Sequence, residues 1–286
     1  MVASTRCRYL AIVWSALVLL TSPIAAQEIR YSRLERGVIE TRLKAAPKSN
    51  PDRKKELEES FRSAGCDHDK LSLMAVKHSS LPDVICTLDG ADENVIIVGA
   101  HFDHVPRGAG AVDNWSGASL LPSLFQSLAA EPRRHKFVFV GFTDEEKGLV
   151  GSRYYVSQLS KQERSKVLAM INLDTLGLSP TKVWLSHADE TLAGLMNGLA
   201  IRMKLPLTAL DVEKVGSSDS EPFRQAKIPA MTVHSVTQQT LSILHSDRDQ
   251  AGAIRMDDYY DTYRLLAAYL AYLDLMLPLE NSEKAH

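Results

Sequence analysis

The chain has 286 residues, 45% of them hydrophobic and 24% charged, with a formal charge of −2. That is globular composition, long enough for one large α/β domain, and it lacks the concentrated basic face of a nucleic-acid binder. The first 26 residues stand apart. Arg6 and Arg8 precede an apolar stretch from Tyr9 to Leu20, and "SPIAA" ends in small residues before Gln27. This is the pattern of a cleavable secretory signal cut after Ala26, and its core is short for a membrane span. Without it, 31 basic and 35 acidic residues remain, a formal −4. The expectation is one domain over 27–286, secreted or periplasmic, with no nucleic acid and no stable membrane association after cleavage. Cys66 and Cys86 remain in that domain. An oxidising compartment permits a bridge between them, free buried thiols are the alternative, and no CxxC spacing suggests zinc.

In chain order, residues 29–46 read as a helix, with Ile29, Leu34, Val38, Ile39 and Leu43 on one face. "SNPDRKKELEESFRSAG" is a second helix, with Asn50 as candidate cap, Pro51 in the first turn and Gly65 at the exit. Short strands near Leu71–Val76 and Val84–Leu88 suggest a hairpin, and "ENVIIVGAH" is a strand covered on both faces. Then the pattern alternates: helix Ser116–Ala130 (its first part weakened by Pro122), strand Lys136–Phe142, helix Leu149–Leu159, strand Val167–Leu173. Later come a strand near Lys182–Leu185, helix Glu190–Met203, strand Pro229–Val233 and a helix from Met256 to about Leu277. Such alternation implies an α/β fold, a mostly parallel, mixed central sheet with helices on both faces.

Three apolar strands end in groups that bind metal. "VIIVGAHFDH" ends in His101 and Asp103, "FVFVGFTDEE" in Glu145 and Glu146, and "LAMINLD" in Asp174. Ligands of open parallel sheets bind beyond the carboxyl ends of strands, so these groups share an edge. The loop "VPRGAGAVDNWSGAS" adds Asp113, and "ILHSDRDQ" adds His245. A set of His101, Asp113, Glu146, Asp174 and His245 mixes nitrogen and oxygen, which suits zinc, with manganese or cobalt as substitutes, rather than calcium. Five ligands exceed one tetrahedral catalytic zinc and suit two ions about 3.5–4 Å apart sharing one carboxylate. Of the adjacent Glu145 and Glu146, one could then reach metal while the other faces a water as general base. A solvated acidic turn opening a helix is the plainer reading of "TDEE" taken alone.

These elements resemble the family-28 metallopeptidases, typically secreted or vacuolar di-zinc aminopeptidases. "GAHFD", "GAGAVDNWSG", "FTDEEKGLVGS", "MINLDTLG" and "SDSEPF" look like five family elements, in order, over roughly residues 84–250. The resemblance implies a zinc-aminopeptidase fold acting on peptides with a free N-terminus. It implies one zinc on His101 and Asp174, a second on Glu146 and His245, and Asp113 between them. Glu145 would be the general base, Asp103 would orient His101, and Gly148, Gly151 and Ser152 would shape the turn. Two departures stand out: Ser220 replaces a usual His, and "HSDRDQ" keeps His245 and Asp249 but lacks the final Thr of the family pattern. His234, in "MTVHS", therefore competes with His245 as the last ligand.

Three alternatives follow. A single-zinc glutaminyl cyclase shares the ligand pattern, but such enzymes carry Trp before the last His, where this chain has Leu244. A carboxypeptidase on a related fold is another. A secreted metal- or peptide-binding module without turnover would be expected to lack Glu145 or a ligand. The signal reading predicts a mature N-terminus at Gln27, which intact-mass measurement of the exported protein checks. Recovery of a membrane-bound chain still carrying Met1 overturns it.

Overall fold

The apolar runs rich in β-branched and aromatic residues become the strands. The computed structural model describes residues 29–278 except His68 and 212–215, so the expected signal segment, His68 and His286 lie outside the described residues. The strands are β1 (Leu71–Met74), β2 (Asp83–Leu88), β3 (Val95–His101), β4 (Lys136–Phe142), β5 (Val167–Leu173), β6 (Lys182–Val183), β7 (Thr208–Ala209) and β8 (Ala230–His234). They form one sheet in the order β1-β2-β4-β3-β5-β8-β6-β7. Its centre, β4-β3-β5-β8, is parallel. The β1–β2 hairpin adds antiparallel at one side, and β6 runs antiparallel to β8 at the other.

Helices cover both faces: α1 (Arg36–Lys44), α2 (Asn50–Ser63), α3 (Ser116–Ala118), α4 (Leu120–Ala129), α5 (Val150–Gln158), α6 (Lys161–Lys166), α7 (Glu190–Met203), α8 (Ser220–Gln225) and α9 (Met256–Met276). Alternation along β3 explains the two layers. Ile96, Val98 and Ala100 enter the larger core with residues of α1, α2, α4, α7 and α9. Ile97 enters the smaller one with Val138, Val140 and Met170, beneath Val156 of α5 and Phe223 of α8. A strand buried on both faces has no polar side to show, hence the unbroken apolar run.

Some boundaries differ from the sequence expectations for identifiable reasons. Helix α1 begins at Arg36 rather than residue 29. The tyrosines of α9 occupy the backbone groups of Leu34 instead: its N–H donates to the Tyr263 hydroxyl at 2.7 Å and its carbonyl accepts from Tyr260 at 3.0 Å. The cap of α2 is Ser49, whose Oγ accepts from Asp52 N at 3.2 Å. Asn50 is engaged elsewhere, accepting from His104 N at 3.1 Å. The expected helix at 116–130 is divided at Ser119, and Pro122 falls in the first turn of α4, where a missing N–H costs nothing. Strand β6 stops after two residues in a 3₁₀ turn, Leu185–His187. Helix α6 was not anticipated, although Ser160 and Glu163 form a capping box that its sequence displays.

Cys66 and Cys86 are bridged. The bond ties the end of α2 to β2, and β2 pairs with β4, so a surface helix is fastened to the sheet that carries the acidic turn. Replacing both cysteines by Ser is expected to lower the free energy of unfolding by about 3 kcal/mol, the loop-entropy scale for a closed loop of roughly twenty residues. Guanidinium denaturation of the double variant against the oxidised parent checks the value. An unchanged midpoint would mean the reduced chain is already held by packing.

Candidate metal centre

The chain runs from β3 to β4 on one side, then returns to place β5 on the other side of β3. This change of direction opens a crevice at the carboxyl end of β3, the place where doubly wound sheets bind ligands. His101 is the last residue of β3, Glu145 and Glu146 follow β4, and Asp174 follows β5. The loops after β3 and β8 bring in Asp113 and His245.

Asp113 joins two groups. Its Oδ1 lies 3.3 Å from His101 Nε2, and its Oδ2 lies 3.3 Å from His245 Nε2. Asp174 Oδ1 is 3.7 Å from His101 Nε2, while Glu146 Oε2 is 3.0 Å from His245 Nε2. The ligand atoms of His101, Asp113 and Asp174 all lie within 4.8 Å of one another, as do those of Asp113, Glu146 and His245. Glu145 belongs to neither triplet, and its Oε2 stands 4.0 Å from His101 Nε2.

Backbone hydrogen bonds to buried carboxylates set this geometry. Asp103 accepts from Glu145 N at 3.0 Å and from Glu146 N at 3.2 Å, one oxygen to each. The pair sits in a 3₁₀ turn after left-handed Asp144, not on extended chain, so the turn rather than strand alternation sends the two side chains apart. His101 Nδ1 meets the Asp103 carbonyl at 3.2 Å, with the Asp103 carboxylate at 3.5 Å. Asp249 accepts from Val112 N at 2.7 Å and Asp113 N at 3.2 Å. Asn114 donates to Leu173 O at 2.8 Å and accepts from Gly117 N at 2.9 Å and Thr175 N at 3.1 Å, locking the Asp113 loop to the end of β5. Gly117 must be glycine here, because a Cβ would stand 2.5 Å from Leu173 O.

The electrostatics are those of an anion cluster short of positive charge. Burial pushes Glu145 up to about 10 despite His101, and repulsion from Asp219, Asp174 and Asp113 adds to the rise. Burial with repulsion from Asp113 takes Glu146 to about 7. Burial also raises Asp113, but hydrogen bonds from His101 and His245 outweigh it and hold the group below the usual range. The hydrogen bond to Asp113 raises His245 to about 9, and Glu146 contributes. Burial opposes charge on His101, yet Glu145, Asp103, Asp113 and Asp174 lift it well above its ordinary value. The surrounding carboxylates thus favour positive charge at both imidazoles. Two nitrogens and three carboxylates in two triplets with one shared member fit a pair of zinc ions.

His234 and other polar residues near the cluster have partners elsewhere. His234 Nε2 donates to Leu210 O at 3.1 Å and its Nδ1 accepts from Val236 N at 3.2 Å, so both nitrogens are engaged away from the triplets, and burial pushes it down to about 4. Ser220 closes a buried hydroxyl triangle with Ser218 and Thr232. Lys147 pairs with Asp144 at 2.9 Å, and Arg107 with Asp247 at 3.3 Å, both exposed cations. Asp249, Asn114 and Arg53 shape the site from behind; Asp249 and Asn114 lie within the "HSDRDQ" and "GAGAVDNWSG" stretches without a role being readable there, and Arg53 carried no signal.

Residues 83–270 match the profile of peptidase family M28. Leupeptin-inactivating enzyme 1 of Streptomyces exfoliatus is 34% identical over 151 residues, 51% of this chain and 34% of that one. The chain spans about a third of the length of the curated relatives it matches first. The solved structure of BSAP, a zinc aminopeptidase from Bacillus subtilis, superposes with a TM-score of 0.62 at 25% identity, covering 67% of this chain and 50% of that one. An Acidobacteriales bacterium glutaminyl cyclase shares the fold, with a TM-score of 0.68 at 15% identity over 84% of this chain and 93% of that one.

Asn114 carries a prediction. Asn114→Ala leaves the buried Leu173 carbonyl and the Gly117 and Thr175 N–H groups without their partner. Unfolding free energy is expected to fall by about 3 kcal/mol or more, at 1–3 kcal/mol for each such group. Urea denaturation measures it, and a loss below about 1 kcal/mol would contradict the lock.

Proposed function

The chain belongs to peptidase family M28, and from that premise we propose that it is a zinc aminopeptidase that removes the N-terminal residue of peptides. It holds two divalent ions, one on His101 and Asp174 and one on Glu146 and His245, with Asp113 shared. Manganese or cobalt can substitute. Residues 27–286 form a single catalytic domain, exported as a secreted or periplasmic protein after cleavage behind Ala26. Among the described residues no helix is long and apolar enough to cross a membrane, and the Cys66–Cys86 bridge suits an oxidising compartment.

One observation carries the reading: Asp113 presents one oxygen to His101 and the other to His245. A carboxylate so placed, with a further carboxylate beside each histidine, is what two adjacent cations would need. When bound, such ions supply Lewis acidity that polarises a carbonyl and eases deprotonation of water. Glu145, outside both triplets, takes the proton of the attacking water and returns it to the departing amine. Asp103 keeps that carboxylate in place through the two N–H groups it holds. The free α-amino group of the substrate, a cation, is held by the surrounding carboxylates. A single-ion cyclase would leave one triplet without use, and Leu244 precedes His245.

Two predictions test the assignment. The purified protein should bind about two zinc ions per chain, and Asp113→Asn should lower occupancy of both sites, as measured by metal analysis after dialysis. A stoichiometry near one with full activity would favour the cyclase. Glu145→Gln should keep its metal and lose roughly 10²–10⁴ in turnover, with no rescue by added zinc. Glu146→Gln should weaken one site and regain rate with excess zinc. Identical metal content and rescue in the two variants would sink the division between base and ligand.

A further inference from the structure

Arg53 lies in "NPDRKKELEES", a stretch whose charges read as a solvated helix face. Lys55 behaves so, pairing with Glu59 at 3.7 Å where both side chains are exposed. Arg53 is instead fully buried, 0% exposed, with its guanidinium 5.7 Å from the centre of the Trp115 ring. Its donors go to carbonyls: Nε to Pro47 at 3.0 Å, Nη1 to Phe102 at 3.2 Å, and Nη2 to Gly110 at 3.0 Å and to Ala109.

Three of those carbonyls, at Phe102, Ala109 and Gly110, lie within the segment between His101 and Asp113. Phe102 precedes Asp103, the residue that holds the backbone of Glu145 and Glu146. Ala109 and Gly110 lead into the turn whose N–H groups at Val112 and Asp113 bond to Asp249. The charge acts through space on Asp249, Asp103 and Asp113. None of the guanidinium hydrogen bonds goes to a carboxylate, so the positive charge is shared among the three rather than spent on one. A planar fork reaching diverging carbonyls is a task for Arg and not for the single ammonium of Lys.

We infer that Arg53 is a resident cation that presets the site for metal, fixing the shared Asp113 and the Asp103-held turn together, so that its loss weakens both ions rather than one. The inference rests on the two-metal reading above. Arg53 is a positioning residue, since it touches neither triplet nor substrate.

The test uses the full mature chain as parent, Arg53→Met and Arg53→Lys, each stripped with chelator. Zinc affinity is measured by competition with a chromophoric chelator, and thermal melts are recorded with and without a fixed zinc concentration. Arg53→Met is expected to bind both ions about 10–100-fold more weakly, the scale for groups that support metal ligands from behind. Arg53→Lys should show a smaller loss at both sites. The rise in melting temperature on adding zinc should shrink in step, because ligand stabilisation follows affinity. A role confined to packing gives a different result: melts fall equally with and without zinc, and affinities stay at the parental value. That outcome overturns the inference, as does weakening of one ion alone. Should Arg53→Met not fold, Arg53→Lys decides, and parental affinities there refute the inference. Failure of the parent itself to take up zinc sinks the two-metal reading and this inference with it, while weak zinc uptake in the variants alone supports it.

Discussion

Buried negative charge crowded at one sheet edge governs the surrounding structure. Asp103, Asp113 and Asp249 are almost wholly buried, and Glu145, Glu146 and Asp174 are largely so. Like charges at such density, out of water, protonate or find cations. The carboxylates answer the crowding in different ways. Asp103 and Asp249 spend their oxygens on pairs of backbone N–H groups. Asp113 is held ionised between two histidines, whereas Glu145 and Glu146 rise toward the neutral form. Arg53 adds a permanent positive charge behind the cluster. What remains is a deficit that two divalent ions would fill.

The same constraint explains why the supporting layers are polar where a core is usually apolar. Ser116 Oγ donates to Val112 O at 2.6 Å and accepts from Leu176 N at 2.8 Å, tying the Asp113 loop to the chain beyond Asp174. Tyr259 of α9 donates to Ser116 O at 2.7 Å, so the long terminal helix braces that loop from beneath. Tyr263 and Tyr269 likewise place their hydroxyls on partners, Ser127 and Leu192 O. Buried aromatic rings supply apolar area, and their polar tips reach backbone that loops would otherwise leave unpaired. The inner side of the site is therefore densely hydrogen-bonded, while His245, with a side chain 55% exposed, stands at its solvent side.

Much of this was legible in sequence because strand ends and chemistry coincide. The runs at β3, β4 and β5 are long, apolar and β-branched, and each terminates in the polar groups that reach the crevice. Periodicity located those strands and the helices α7 and α9 closely. It failed where backbone partners decide: residues 29–35, extended along the tyrosines of α9, carry a helical apolar pattern that serves packing instead. Arg53 was illegible for a related reason, since no local pattern separates the buried Arg53 and Glu58 of "DRKKELEE" from the more exposed charges beside them. Asn114 and Asp249 act on backbone some 60 and 137 positions distant from themselves, and sequence spacing holds no trace of such pairings. His245 and His234 are alike in sequence context and differ only in their partners: both nitrogens of His234 are engaged, whereas His245 faces Asp113 and Glu146.

The three acidic residues that end β4 show how one local device resolves the crowding. On extended backbone, side chains at 144 and 146 would share a face and repel. The chain leaves the strand at once: Asp144 takes a left-handed conformation and Glu145–Lys147 form a 3₁₀ turn. Asp144 then meets Lys147 at 2.9 Å, Glu145 faces His101 at 4.0 Å, and Glu146 meets His245 at 3.0 Å. Three adjacent acidic side chains thus each acquire a separate partner. Asp103 holds the turn by its backbone N–H groups, so neither the Glu145 nor the Glu146 side chain is needed to fix it. A single carboxylate at this strand end would have to choose between the two proposed tasks, base and ligand, so the doubled glutamate is intelligible only if the turn that separates the pair is held as firmly as the ligands themselves.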